Sequence, residues 1–486
     1  MFLALFGACS MLTDVRMKMW NDEIITLYVA QQGSPGEIVA ATKDGMDATP
    51  PLYPILVSTI LPGARPDALA VRLPSTLGFA GMLACVLLFC RRRMPGSYAL
   101  IGGLLVAITA GFYATEGRCY GLMLGFAAGA LVCWQAATEH CPRATWLVLL
   151  SLCLMLATAL HYYAIFLLVP LGLAELVRWR ERRQLDFPIV VAMLPALAAL
   201  AVHYPLIAAG RRYLAHFWTP GIASWRQIPE FYLEFALLPA GVLLVGFLAF
   251  SLTARSNAAP DSRERLLPAH EWVAVGGFAL LPILVVVVSK FTTQVFLSRY
   301  ALCAVIGIAI ATAALLCRMT AQRPIIATAL VAILFVSFVA YEIFRLRQPT
   351  GLRQGEAVER ELESLPDGPE PIVIAYDHAF MELSYYAEPR LRGRLYYLLS
   401  QKLELQHRGS DLDYLLLSAV GKRTKLHIVG LDDFLRTTPR FLLAARDEDY
   451  LPEEMTQAGY CLAPAASPGV YQVEARRSNE AGCVER

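Results

Sequence analysis

Two adjacent carboxylates, Asp22 and Glu23, stand in a polar break between apolar runs near the start of this 486-residue chain. A carboxylate in a partly dehydrated cavity gains proton affinity and makes a better general base. Neighbours on a helix diverge by about 100°, so the two cannot face one pocket. One can react while the other serves structure; the plain alternative is a helix N-terminus, whose dipole favours acids. Other ionisable residues recur at the ends of apolar runs: Asp47, Glu116, Arg118, His161, Arg211, Arg212, Lys290 and Arg299. Arginine offers a planar donor fork that suits phosphate. Its other role beside a membrane is a snorkelling anchor. Glu116 stands close enough to pair with Arg118. Asp47 reads as fixing its loop, and His161 as a structural histidine or a phosphate contact. The eleven cysteines form no CxxC pair and no zinc spacing. Cys85, Cys133 and Cys303 sit in apolar runs as small hydrophobes. Only Cys461 and Cys483 lie in a polar tail, where an oxidising compartment would let them pair.

The elements that carry these residues follow from composition. Hydrophobic residues make up 57% of the chain and charged residues 17%, against about 45–50% and 25% in a soluble domain. Mean hydropathy is +0.50. A disordered chain, a collagen, a coiled coil and a disulfide-stapled mini-protein are excluded. Of the 82 Asp, Glu, Lys and Arg residues, 39 lie after Arg345. The chain therefore reads as an apolar block, 1–345, and a polar domain, 346–486. A net charge of +2 gives no sign of a nucleic-acid partner.

About 20 apolar residues cross a bilayer core. Spans are predicted near 68–90, 98–114, 119–138, 145–160, 162–177, 187–207, 233–252, 272–288, 300–317 and 324–345. The short apolar start, 1–12, is taken as the end of a further span, with a short, tilted or partly inserted helix as the alternative. Arg91 to Arg93, the Arg178 to Arg183 cluster, Arg255 with Arg263 and Arg265, and Arg318 with Arg323 fall on one side, which is the cytoplasm by the positive-inside rule. The fold class is then a polytopic α-helical membrane protein of about eleven spans with a small extracytoplasmic C-terminal α/β domain. The long first loop, 13–67, faces outward, and within it Leu52 to Leu61 is too short to span and suits the membrane interface; Arg65 to Asp67 turns the chain. In the tail, 372–375, 395–398, 425–429, 441–444 and 470–473 read as strands and 380–387 as a helix. That alternation favours a mainly parallel sheet. The tail shows no GxGxxG loop or other phosphate-binding motif.

An ordered series runs through these segments. It begins with Asp22-Glu23, then Asp47-Ala48-Thr49-Pro50-Pro51-Leu52-Tyr53 and Arg72-Leu73-Pro74-Ser75. Glu116-Gly117-Arg118-Cys119-Tyr120, Leu160-His161-Tyr162-Tyr163 and Ser298-Arg299-Tyr300 complete it. The series resembles the GT-C integral-membrane glycosyltransferases. The nearest branch resembles bacterial relatives of the dolichyl-phosphate-mannose protein mannosyltransferases and of the aminoarabinose transferase that acts on lipid A. Thr49 stands where relatives often have His, and Cys119 where they often have Pro.

The resemblance implies inverting transfer of a sugar from a polyprenyl-phosphate donor to an acceptor hydroxyl, at the outer face of a bacterial inner membrane. The acceptor would be a glycan, a lipid such as lipid A, or a protein. Asp22 is then the expected base, with Glu23 as alternative or orienting partner. Arg299, Lys290, Arg118, Arg211 and Arg212 are the expected phosphate clamp. Asp47, Glu116, Tyr120, His161 and Tyr300 complete the expected substrate site. Some such enzymes use a divalent metal; no ligand cluster assigns one here. A transporter or flippase of lipid-linked sugars is the rival reading, but it expects internal repeats and ionisable groups at mid-span. A non-enzymatic scaffold would leave the acidic loop unexplained.

Overall fold

A segment facing lipid must satisfy its backbone hydrogen bonds within itself, and a helix does so. The computed structural model describes residues 1–63, 66–139, 142–218, 221–253, 266–347, 355–363, 365, 367–446, 448–465 and 467–475. Among these, seven helices are long and apolar enough to cross a membrane: Asp67–Arg91, Gly96–Ala114, Tyr120–Glu139, Arg143–Leu160, Tyr162–Arg182, Gln227–Leu252 and Pro324–Leu346. Two bent pairs, Phe187–Val202 with Tyr204–Leu214 and Ala269–Ala279 with Leu281–Phe291, bring the number to nine if each is one span. Both bends have a proline, Pro205 or Pro282, in the first turn of the second helix. A proline there cannot continue the preceding helix's hydrogen-bond ladder. The other two expected spans are the shorter helices Phe2–Arg16 and Ala304–Met319. Arg65, Arg255, Arg263, Arg265 and Cys483 lie outside the described residues.

The chain forms two units. The first comprises Met1–Arg16, Thr49–Ala208 and Gly221–Gln348; the second comprises Met17–Ala48, Ala209–Pro220 and Pro349–Arg486. The division expected after residue 345 differs in two segments: 17–48 and 209–220 go with the polar tail.

In the first unit, Asp67–Arg91 packs backbone to backbone on Tyr120–Glu139. Gly78 on one helix faces Gly121 and Gly125 on the other, and a Cβ on Gly125 would come within 2.5 Å of the Gly78 carbonyl oxygen. Small residues four apart permit such close approach between apolar helices. At the Glu139 end of that helix lies a network of buried charge. Arg93 pairs with Glu139 and with Glu271, which is fully buried. Arg178 donates to both oxygens of Glu175 at 2.7 Å, and Trp134 Nε1 donates to the same carboxylate at 2.6 Å. Arg93 and Arg178, which read as topology markers, are thus also ion-pair partners of buried carboxylates, where removal of one partner strands the other charge.

In the second unit, six strands form one sheet: β1 (Ile372–Ile374), β2 (Leu395–Leu399), β3 (His427–Gly430), β4 (Arg440–Ala444), β5 (Tyr460–Pro464) and β6 (Val470–Ala475). Their order is β3-β2-β1-β4-β6-β5. β1 runs parallel to β2 and β4, and β2 parallel to β3; β6 runs antiparallel to β4 and β5. Val373, Phe441, Leu443 and Val473 alternate inward to build its core. The sheet is mainly parallel, as predicted, with an antiparallel margin that includes the unpredicted β5.

Two helices of the first loop dock on this domain. Asn21–Ala30 packs on Asp377–Tyr386, and the Tyr386 hydroxyl accepts the Met19 N–H at 2.6 Å. Pro35–Asp44 is tied at its end by Arg423, whose Nε donates to Asp44 at 2.8 Å. That helix ends on Gly45, whose φ of +103° suits glycine.

Candidate active site

The first unit gathers its candidates at the end of Tyr120–Glu139 opposite the Glu139 network. The turn that carries Glu116 and Arg118 is stapled by Ser75. Its hydroxyl donates to the Tyr113 carbonyl at 3.0 Å and accepts the Gly121 N–H at 3.1 Å. Ser75 belongs to the Arg72-Leu73-Pro74-Ser75 motif, so that motif positions the next one. Arg72 itself is buried and donates to the Asp14 carbonyl at 3.2 Å. Tyr53 of the proline-rich motif donates to the Val71 carbonyl at 2.7 Å.

His161 ends the helix Arg143–Leu160 in extended backbone. Arg299 sits in the short turn Ser298–Ala301. That turn follows a two-stranded clasp in which Phe296 N–H donates to Gly221 and Ala223 N–H to Gln294, both at 2.8 Å. These elements bring an aromatic and cationic cluster together. The Arg299 guanidinium lies 5.7 Å from the Tyr120 ring centre. The His161 ring lies 5.6 Å from Tyr120 and 5.4 Å from Tyr300. Tyr300 stacks on Tyr163 at 4.8 Å. Glu116, Arg118 and His161 are buried. Burial first, then Arg299 and Arg118, push the His161 imidazole down to about 3, so it is neutral at physiological pH. Its Nδ1 is buried and has no hydrogen-bond partner among the described residues. A neutral imidazole with one open nitrogen can donate to or accept from a ligand.

Sequence reasoning missed three members of this setting. Tyr113 meets Tyr120 edge-on at 5.7 Å, Glu234 is bonded by the Ser298 side chain, and Ser75 was read only as part of a motif. Lys290 braces the clasp: its ammonium donates to the Ala223 carbonyl at 3.3 Å and sits 5.1 Å from the Trp225 ring centre.

The second unit holds the remaining candidates. Asp22 and Glu23 occupy the first turn of Asn21–Ala30. Glu23 is buried, and its carboxylate turns back to accept the Trp20 N–H at 3.2 Å. Reaching back to an N-terminal donor that the helix leaves unsatisfied is a capping role. Asp22 is half-buried. Asp47 is buried, and its charge acts on Tyr213. Tyr213 donates to the Gly45 carbonyl and Arg212 to the Lys43 carbonyl, while Arg211 is exposed. Arg212 thus serves the end of the helix Pro35–Asp44. Among the described residues, no three His, Cys, Asp or Glu side chains gather as a metal site would require.

No protein-family profile matches the chain, and no curated protein matches it by sequence. Its fold is similar to that of ArnT from Cupriavidus metallidurans. Against the apo state the TM-score is 0.61 at 12% identity, with 97% of each chain covered. The chain has the GT-C fold. Against the same protein bound to undecaprenyl phosphate the TM-score is 0.60 at 14% identity, with 98% of each chain covered. An oligosaccharyltransferase of Archaeoglobus fulgidus, in complex with Zn and sulfate, aligns with TM-score 0.48 at 10% identity, over 98% of this chain and 73% of that one. The GT-C likeness spans both units of the chain, so the sheet domain belongs to the compared architecture as much as the helices do.

Proposed function

We propose that this protein is a multi-pass membrane glycosyltransferase. It moves a sugar from a polyprenyl-phosphate donor to an acceptor hydroxyl, with inversion, at the outer face of a bacterial inner membrane. The observation that carries this reading is the cluster of buried Arg118, His161 and Tyr120 with half-buried Arg299 and Tyr300 in a GT-C fold; the similar ArnT was captured with undecaprenyl phosphate. About eleven spans with an extracytoplasmic tail agree with the basic clusters at the Glu139 end. A disulfide at Cys461 agrees with an oxidising compartment for that tail.

In the transfer, the acceptor oxygen forms a bond to the anomeric carbon as the bond to the lipid phosphate oxygen breaks. The phosphate leaves with that electron pair, and the acceptor proton passes to a base. Arg118 and Arg299 are assigned to the phosphate because planar forks complement its oxygens. His161, neutral, adds a hydrogen bond without adding charge. Asp22 is assigned as base by its place in the Asp22-Glu23 motif, and Glu23, which accepts the Trp20 N–H, as its alternative or orienting partner. The acceptor is a glycan, a lipid or a protein bearing a free hydroxyl.

The test is sugar transfer by purified protein in detergent, with a panel of polyprenyl-phosphate sugars as donors and membrane extract as acceptor. Wild type should transfer, and Asp22→Asn should lose turnover by about 100-fold or more while melting at the same temperature. Equal transfer by both would remove Asp22 from the chemistry. No transfer with any donor, together with movement of the donor across vesicles, would make the protein a carrier of lipid-linked sugars.

A further inference from the structure

The sheet of the second unit changes direction at β1. From β1 the chain passes through Asp377–Tyr386 to β2, and on to β3, on one side. From β3 it returns through Leu431–Thr437 to β4 on the other side of β1. The segments leaving the carboxyl ends of β1 and β4 therefore diverge, and in open α/β sheets a crevice at such a point is the usual place for a ligand. A cavity of about 270 Å³ opens there. None of the residues that line it is assigned to transfer.

The walls define what fits. Ile374 gives an aliphatic floor, and Tyr376 an aromatic side. The Arg446 guanidinium lies 4.8 Å from the Tyr376 ring centre. Glu361 and Asp449 contribute carboxylates, the latter anchored by the Arg446 N–H at 2.8 Å. Gly469 has a φ of +69°, and a Cβ there would come 3.1 Å from Glu361 Oε2. Burial raises the Glu361 carboxyl, against the pull of Arg446.

These groups reject several ligand classes. No glycine-rich turn follows β1, which continues Ala375-Tyr376-Asp377, so a dinucleotide phosphate has no cradle. Two carboxylates beside one guanidinium disfavour a phosphate or another dianion. A neutral ring with hydroxyls at its rim and C–H groups on its faces matches a mixed donor and acceptor rim beside apolar walls. We propose that this crevice, between the carboxyl ends of β1 and β4, binds a single monosaccharide unit through Arg446, Glu361 and Tyr376.

The test uses the full-length protein in detergent and needs no lipid donor, so it stands or falls apart from the transferase reading. D-glucose, D-galactose and N-acetyl-D-glucosamine are titrated by saturation-transfer NMR, with inorganic phosphate as a separate probe. At least one sugar should bind saturably, and both Arg446→Met and Glu361→Gln should weaken it about tenfold or more, with unchanged melting temperatures. Sugar binding that neither variant weakens overturns the site. Absence of saturable binding by all three sugars overturns the ligand class, as does phosphate binding that depends on Arg446 without any sugar binding.

Discussion

Glu23 and Asp22 differ by one position, and that position decides which of them caps the helix. Glu23 reaches back to the backbone of Trp20, so its loss is a matter of folding. Glu23→Ala should cost about 1–3 kcal/mol, the price of stranding a partly buried donor. It should lower the melting temperature in detergent while the folded fraction keeps its turnover. A loss of turnover without a loss of stability would reverse the two assignments. Arg299 tests the phosphate role in another way. Arg299→Lys keeps the charge and removes the fork, so KM for the lipid donor should rise about tenfold, worth roughly 1.4 kcal/mol. An unchanged KM would confine Arg299 to packing on Tyr120.

Elements set these residues in place through contacts that leave no room. The crossing at Gly78, Gly121 and Gly125 holds the helix whose first residue is Tyr120, and Ser75 joins the same crossing to the turn before it. Gly125→Val puts carbon against the Gly78 carbonyl. It should destabilise the protein by about 1–3 kcal/mol, as overpacking does, and lower transfer by shifting the Glu116–Tyr120 turn. Thermal melting and transfer assays on the same preparation check both effects. The sequence made the helices legible because apolar length is itself the physical cause of a span. It made β1 to β4 and β6 legible because their residues are short apolar runs between turn signals. β5, Tyr460–Pro464, is harder to read because its apolar run, Tyr460 to Ala463, meets Pro464, and a proline in a run fits a strand only at a sheet edge. Tyr113 and Glu234 were hidden because a helix interior or a span end gives no local sign of what it meets across the bundle. The motif residues Glu116, Arg118, Tyr120, His161, Arg299 and Tyr300 were read from their order, and the structure brings these six together. Lys290 and Arg212 are legible from charge alone, and each also makes a bracing contact with a backbone carbonyl.

At the scale of the molecule, the polar tail is more than a cap. It carries the acidic helix, a crevice of its own and a titratable core. Glu404 is buried, accepts the Tyr414 N–H at 2.9 Å and the Tyr397 hydroxyl at 3.3 Å. Burial, with Asp413 adding to it, raises its carboxyl from 4.5 to about 7. The folded state therefore holds this proton more tightly than the unfolded chain does. Its contribution to stability is complete below about pH 4.5 and is lost as pH rises through about 7. Glu404→Gln should flatten the melting temperature of the tail between these limits, removing a dependence on the order of 3 kcal/mol. A profile as steep as wild type would place the titration elsewhere.

The bond between Met19 and Tyr386 joins residues 367 positions apart. A ribosome adding about 5–20 residues per second needs roughly 20–70 s to make that stretch. The helix that bears Asp22 therefore leaves the ribosome long before its docking partner. It waits, undocked, until the sheet domain follows. A premature stop between the two would strand it, however many spans had already been inserted.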